Sequence, residues 1–295
     1  FSPDEIAIVH VMNRVVRRCF LLGTDPLTGK NYDHRRAWIE KLLERQARFF
    51  GIDLLCYSIL SNHFHQILRS RPDVVKTWDN TEVARRWLMI CPKRKGPDGE
   101  PCEPKENELN SIRSDRKKLE QIRSRLSDIS WWMRLLCQKI AQQANAEEEL
   151  TGKFWESRYR GVRILDEASL LACAAYVELN PVRAAMAESL ETTQHTSIRR
   201  RIDTLRNASR NKTQPPDSFL APLTIDEQHD ELGPCPNQTG SRCSDKGFLA
   251  MPLAQFLELV DWTGRQMGAD KRGVTPAGTA TILERLQLEP QEWCG

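Results

Sequence analysis

A strand pair centred on residue 61 sets the topology open to this chain. Ile52-Asp-Leu-Leu-Cys-Tyr-Ser-Ile-Leu60 is apolar and rich in strand-favouring residues, and such a run reads as a buried strand. Ser61-Asn62 interrupts it, and Asn tolerates the tight backbone of a hairpin turn. The chain then resumes as His63-Phe64-His65, so a hairpin over 52–60 and 63–69 is expected. Side chains alternate faces along a strand, which puts His63 and His65 on one side and Phe64 in the opposite layer. Two imidazoles side by side on a rigid strand make half of a divalent-metal site. The same pattern also suits two polar residues on a half-exposed strand. These residues alone leave both readings open.

The surrounding pattern fills in a fold. Residues 7–16 alternate loosely and predict a first strand, with Cys19 to Leu22 as a short partner strand. Tyr32 to Phe50 carries Trp38, Ile39, Leu42, Leu43, Gln46 and Phe49 at helical spacing. Residues 130–147 predict a second long helix and Phe154 to Leu165 a fourth strand. The fold class is therefore α+β, with a ferredoxin-like β-α-β-β-α-β core. A charged insertion over 72–130 interrupts it. Within the insertion, the Pro-, Gly- and Lys-rich stretch 93–105 reads as a mobile loop, and 106–129 as one solvated helix. Residues 1–200 form the main domain and 201–247 a polar linker. Residues 248–295 form a small helical C-terminal extension, with helices at 252–267 and 276–286. Trp262 and Trp293 are expected to fill core.

A second segment bears on chemistry: Leu170-Leu-Ala-Cys-Ala-Ala-Tyr-Val-Glu-Leu-Asn-Pro-Val-Arg-Ala-Ala-Met186. Its first part is Ala- and Leu-rich, with Asp166 or Ser169 as the cap. Asn180 lies four residues beyond Tyr176 and shares its face if the helix reaches that far. Pro181 disfavours helix at Asn180 and suits the first turn of a new helix, which would make Asn180 a cap. By periodicity alone, Tyr176 reads as a core-edge tyrosine.

Taken together, His63-Phe64-His65 and Tyr176-Val-Glu-Leu-Asn180-Pro181-Val-Arg183 resemble the single-tyrosine HUH transposases, in particular the REP-associated tyrosine transposase type. His10-Val-Met-Asn-Arg14, Arg17-Arg18 and Gly152-Lys-Phe-Trp-Glu-Ser-Arg-Tyr159 also match, in the same order along the chain. The resemblance covers about residues 7–200, apart from the insertion. It implies the HUH endonuclease fold, with Tyr176 as nucleophile and a link to a DNA 5′ phosphate. It also implies a third metal ligand on the tyrosine helix, a position that Asn180 occupies.

Chemistry gives these roles a reason. A tyrosine phenol titrates near ~10 and is a poor nucleophile at neutral pH. An ion on His63 and His65 would polarise the phosphate it attacks. Oxygen donors beside imidazole suit Mg²⁺ or Mn²⁺. A covalent phosphotyrosine conserves the phosphodiester energy, so a 3′ hydroxyl can reverse the step and rejoin strands. The expected activity is metal-dependent cleavage and rejoining of single-stranded or hairpin DNA. The alternatives are a domesticated relative that binds hairpin DNA without cutting, and a nuclease that uses water. Tyr159 is the rival nucleophile.

Composition adds limits. The formal charge of +3 neither requires nor excludes nucleic acid. Local clusters are more telling, and Arg14, Arg17, Arg18, Arg158, Arg163 and Arg183 are the candidate DNA contacts, with Arg160 beside them. Nine scattered cysteines do not suggest a disulfide framework. His229, Cys235 and Cys243 could form part of a zinc site, but their spacing is not that of a CxxC knuckle and no fourth ligand is evident, so a plain surface loop is the expectation. No apolar run reaches the ~20 residues of a membrane span, and no secretory signal is evident at the N-terminus. The expected setting is a bacterial cytoplasm, associated with DNA, as a monomer or homodimer.

Overall fold

The computed structural model describes residues 4–207, 215–226, 233–266, 273–276 and 278–286. Four strands form one sheet: β1 (Ile8–Arg14), β2 (Ile52–Ile59), β3 (His63–Ser70) and β4 (Arg160–Ile164). Their order is β2-β3-β1-β4, and every neighbouring pair is antiparallel. Helix α1 (His34–Phe49) joins β1 to β2, and α6 (Ile129–Glu147) precedes β4. The chain thus follows the strand–helix–strand–strand–helix–strand order read from the pattern. Between β3 and α6 lie α2 (Pro72–Thr77), α3 (Asn80–Ile90), α4 (Glu106–Arg113) and α5 (Arg116–Leu126).

The two sheet faces are covered differently. Val9, Val11, Phe64 and Leu68 project into a core completed by α1 and α6. There Trp132 is buried, stacks edge-on against Phe50 and donates its indole N–H to Gln66 Oε1 at 2.9 Å. The opposite face packs Cys56 and Ile67 against α7 (Glu167–Arg183), α8 (Ser197–Asn207) and α9 (Leu253–Arg265). Burial of each large apolar side chain contributes about 1.5–3 kcal/mol.

Several expectations need correction. No strand forms over Cys19 to Leu22. Val16–Arg18 is a 3₁₀ turn in which Arg17 and Arg18 take φ of 54° and 58°, folding the chain back until Leu22 N–H reaches Ser61 O at 2.8 Å. The fourth strand starts only at Arg160, because Val16 and Phe154, and Glu156 and Arg14, are already tied by their backbones. The expected single helix over 106–129 breaks at Ser114-Asp115, where Asp115 caps α5 through Lys118 N–H. The insertion also has a core of its own, with Val83, Leu88, Ile112 and Ile122 buried together.

The stretch after residue 200 is more than a linker. Helix α8 runs to Asn207, and Phe219, Leu220 and Leu223 are buried in the two main cores. Asp53 receives hydrogen bonds from Arg69, Arg71 and Ser244, and Arg69 also reaches the Gly247 carbonyl at 2.8 Å. These charge-assisted bonds fix the loop to the sheet. Helix α9 packs Leu257 and Val260 into the same core as α7. A final helix, α10 (Ile282–Leu286), is shorter than the expected 276–286. Trp262 is 60% exposed, because α9 turns its other face inward, and so does not fill core. Trp293 lies outside the described residues.

Candidate active site

Strand β3 carries His63 and His65 on the α7 side of the sheet, with Phe64 fully buried on the other. Each imidazole is held through Nδ1. His63 Nδ1 lies 2.6 Å from Asn62 Oδ1, and Asn62 Nδ2 is anchored on the Arg18 carbonyl at 3.1 Å. His65 Nδ1 lies 2.9 Å from Nε2 of His10, a β1 residue whose ring stacks on it at 5.1 Å. A carbonyl oxygen only accepts, so His63 carries its proton on Nδ1 and presents Nε2 as a lone pair. His65 Nε2 is buried and has no hydrogen-bond partner among the described residues. In the tautomer with the proton on His65 Nδ1, donated to His10, that orphan is a bare lone pair, the arrangement of a metal-ligating histidine.

Electrostatics keep both rings neutral. Burial, with the Arg14 charge beside it, lowers His63 to about 4. Burial, then His63, His10 and Arg14, lowers His65 to about 2. Neutral imidazole is the form that ligates. Among the described residues no group of three or more His, Cys, Asp or Glu is disposed to hold a metal. His10 is spent on His65, so a third donor from the protein must come from another residue type.

Asn180, the candidate for that donor, lies on α7. Asp166 caps the helix by accepting from Ser169 N–H at 2.8 Å. The helix then continues through Pro181 to Arg183, so Asn180 lies inside it and caps no new helix. Pro181 lacks one N–H, a cost that the buried flank of α7 offsets through Val177, Leu179 and Val182. Asn180 is 8% exposed, and its Nδ2 donates to the Tyr176 carbonyl at 3.3 Å. Its amide oxygen is the kind of donor a hard cation takes. By residue type, two neutral imidazoles and an amide oxygen are donors that suit a divalent ion.

The continuous helix brings Tyr176 over the imidazoles. Its ring centroid is 5.6 Å from His65 and 6.1 Å from His10, edge-on to both. Tyr176 is 38% exposed, and the Arg183 guanidinium lies over its ring at 5.1 Å. The other three tyrosines are engaged elsewhere. Tyr32 donates to Glu148 and the buried Tyr57 to Glu40, while Tyr159 meets Ser130 Oγ at 2.9 Å on the α6 side.

The arginines divide by face. Arg14 is the cross-strand partner of His63, and Arg17 and Arg18 stand exposed on the turn that follows. Arg163 pairs with Val9, hence faces the α6 side, and is bound to Glu5. Arg158 lines a cavity with Tyr159, Arg134 and Cys137 on that same side. Arg160, opposite Met12, is the β4 arginine on the imidazole face. Trp155 and Phe154 belong to the core: Trp155 packs on Phe64 and its indole N–H donates to the Cys137 carbonyl. Of the zinc candidates, Cys243 is buried and Cys235 partly exposed, while His229 lies outside the described residues.

Sequence reading missed the orienting roles of His10 and Asn62. Asn62 could have been found from its place beside His63 at a turn. His10 has no local signal, because its partner is 55 residues away.

No protein-family model matches this chain, and neither does any curated protein. Among solved structures it is similar to a REP-associated tyrosine transposase bound to a REP hairpin, at 14% identity and a TM-score of 0.38. The match covers 72% of this chain and 84% of the transposase.

Proposed function

We propose that this chain is a DNA strand transferase of the HUH type, built on a ferredoxin-like core, that cleaves and rejoins single-stranded or hairpin DNA through Tyr176. One observation carries the reading: of four tyrosines, Tyr176 alone is set against His65. The motif order described above supports it. So does the sheet, in which β1 and β2 flank an antiparallel β3.

In this reading His63, His65 and Asn180 hold Mg²⁺ or Mn²⁺. When bound, the ion polarises a phosphate oxygen and offsets developing negative charge. The protein supplies the rest. Asn62 and His10 fix which nitrogen each histidine presents. Arg14 and Arg183 place positive charge where a phosphodiester would lie, orienting the strand without reading its sequence. The Tyr176 oxygen bonds to phosphorus, the bond from phosphorus to the 3′ oxygen breaks, and that oxygen departs as a hydroxyl. The reverse step, with a second 3′ hydroxyl, rejoins a strand. The setting is cytoplasmic and DNA-associated, as a monomer or homodimer; no described helix is long and apolar enough to cross a membrane.

A hairpin oligonucleotide with a suicide nick tests the proposal. The wild-type chain should form a covalent adduct with Mn²⁺, with the DNA mapped to Tyr176 by mass spectrometry. Tyr176→Phe removes one oxygen and little volume, and should bind the hairpin without forming the adduct. An adduct on Tyr159, or cleavage that survives Tyr176→Phe, defeats the assignment. Hairpin binding with no adduct from the wild type points to the non-cleaving alternative.

A further inference from the structure

On the sheet face away from the imidazoles, α1 and α6 part to leave a cavity of about 400 Å³ beneath the chain that follows α3. A second cavity of about 530 Å³ adjoins it, and the two share Leu42, Arg45, Lys95, Lys139 and Gln142. The inner cavity is walled by apolar groups, among them Leu42, Ile90 and Pro92. Its rim is cationic. Arg45 is paired with Glu100, but neither Lys95 nor Lys139 has a carboxylate partner among the described residues, and both line the inner and the outer cavity. Lys41, Asp98 and Glu100 also line the outer cavity.

Two ammonium groups on the wall of one cavity repel, and an anion between them offsets that repulsion. Burial lowers Lys139, and Lys95 and Arg45 lower it further, as expected of a charge lacking its counter-ion. A second observation is independent of charge. Gln46 is 5% exposed and lines the inner cavity. Its Nε2 donates to the Trp132 carbonyl at 3.0 Å, and its Oε1 has no partner among the described residues. A buried acceptor without a donor is a cost that a ligand N–H or O–H removes.

We infer that these cavities form a nucleotide site, with a phosphate bridging Lys95 and Lys139 and a base lying on Leu42, Ile90 and Pro92, toward which the Gln46 side chain shifts so that Oε1 accepts from it. An anion alone would satisfy the lysines but leave both the apolar wall and the Gln46 acceptor unused. The base accounts for both. The site is independent of Tyr176. Its ligand is either a free nucleotide or one unpaired nucleotide of a DNA strand, and these share the chemistry that the cavity recognises.

Calorimetric titration of the full chain decides it, with inorganic phosphate, the four deoxynucleoside 5′-monophosphates and a short single-stranded oligonucleotide as probes. At least one monophosphate should bind more tightly than phosphate. Lys95→Ala combined with Lys139→Ala should weaken it by about ten-fold or more, since each loses a charge-assisted bond. Gln46→Leu should weaken the monophosphate and leave phosphate unchanged. Tighter binding of the oligonucleotide assigns the site to a strand, and equal binding assigns it to the free nucleotide. Nucleotide no tighter than phosphate, or affinity unmoved by the double lysine variant, overturns the inference. Tyr176→Phe should bind the nucleotide as the wild type does, so failure here and failure of the transferase reading are separate results.

Discussion

The same two strands, β1 and β3, present two unlike surfaces. Toward α1 and α6, β1 and β3 give Val9, Val11, Phe64 and Leu68 to a closed apolar core. One residue away along each strand, the other surface presents His10, Met12 and Arg14 beside His63 and His65. That surface is itself apolar at its far end, where Ile8 and Ile67 meet α7. The exposed edge strand β4 runs along β1 from Met12 to Ile8. A sheet with a period of two can thus build stability and chemistry from interleaved residues, and a shift of one residue in register would exchange them.

Substitution at adjacent positions tests that separation most strongly. Phe64→Ala empties a fully buried site against Trp155 and should cost about 3–5 kcal/mol of stability. His65→Ala, one residue on, should leave a folded chain whose divalent-dependent DNA cleavage is lost, and EDTA should do the same to the wild type. Denaturant melts beside a cleavage assay measure both. Equal losses of stability at the two positions would mean that the histidine is simply core.

The orienting residues come next in size. His10→Phe keeps a ring against His65 but removes the nitrogen that holds Nδ1. Metal affinity should fall by about 10–100-fold, the usual effect of removing a partner behind a ligand. Asn62→Ala should act likewise through His63. Mn²⁺ titration reads the affinity, and a melting curve confirms the fold. No change in either variant would show that the sheet alone orients the rings.

Acid should distinguish the two faces as well. In the unfolded chain His65 takes up a proton as pH falls through about 6.5, whereas burial among His63, His10 and Arg14 holds the folded group down to about 2. Stability is therefore full above pH 6.5 and is lost as pH falls below it. At pH 5 the cost from His65 is about 2 kcal/mol. Chemical denaturation in EDTA at pH 7 and pH 5 measures it, and His65→Phe should flatten that part of the dependence. A loss of the same size in His65→Phe would place the acid sensitivity elsewhere.

Much of this was legible in the residues because the signals were local. The hairpin, the face shared by His63 and His65, and the Asp166 cap all follow from neighbours within a few positions. What could not be read was set by distant contacts. The Arg17-Arg18 turn is shaped by backbone bonds to residues 61 and 154, and the loop near residue 244 is held by Asp53. The alternation of β4 was legible in principle, but its register was needed to see that Arg160, and not Arg163, shares a face with the histidines. Pro181 misled for a related reason. A local rule disfavours helix before proline, yet the packing of Val177, Leu179 and Val182 outweighs it.

Asn180 offers the smallest expected effect and the sharpest distinction. Because the helix continues past it, Asn180 has no cap to lose. Its Nδ2 bond to the Tyr176 carbonyl is long at 3.3 Å, and removing that bond should cost roughly 0.5–1 kcal/mol. If its oxygen is also a ligand, Asn180→Ala should weaken Mn²⁺ dependence by more than stability alone explains. Asn180→Asp keeps an oxygen at the same reach and should hold metal affinity within about three-fold of the wild type, since carboxylate suits a hard ion. A metal titration of both variants beside their melts decides the matter. Equal affinity in wild type, Ala and Asp would leave His63 and His65 as the only protein donors and would confine Asn180 to supporting the turn of helix beneath Tyr176.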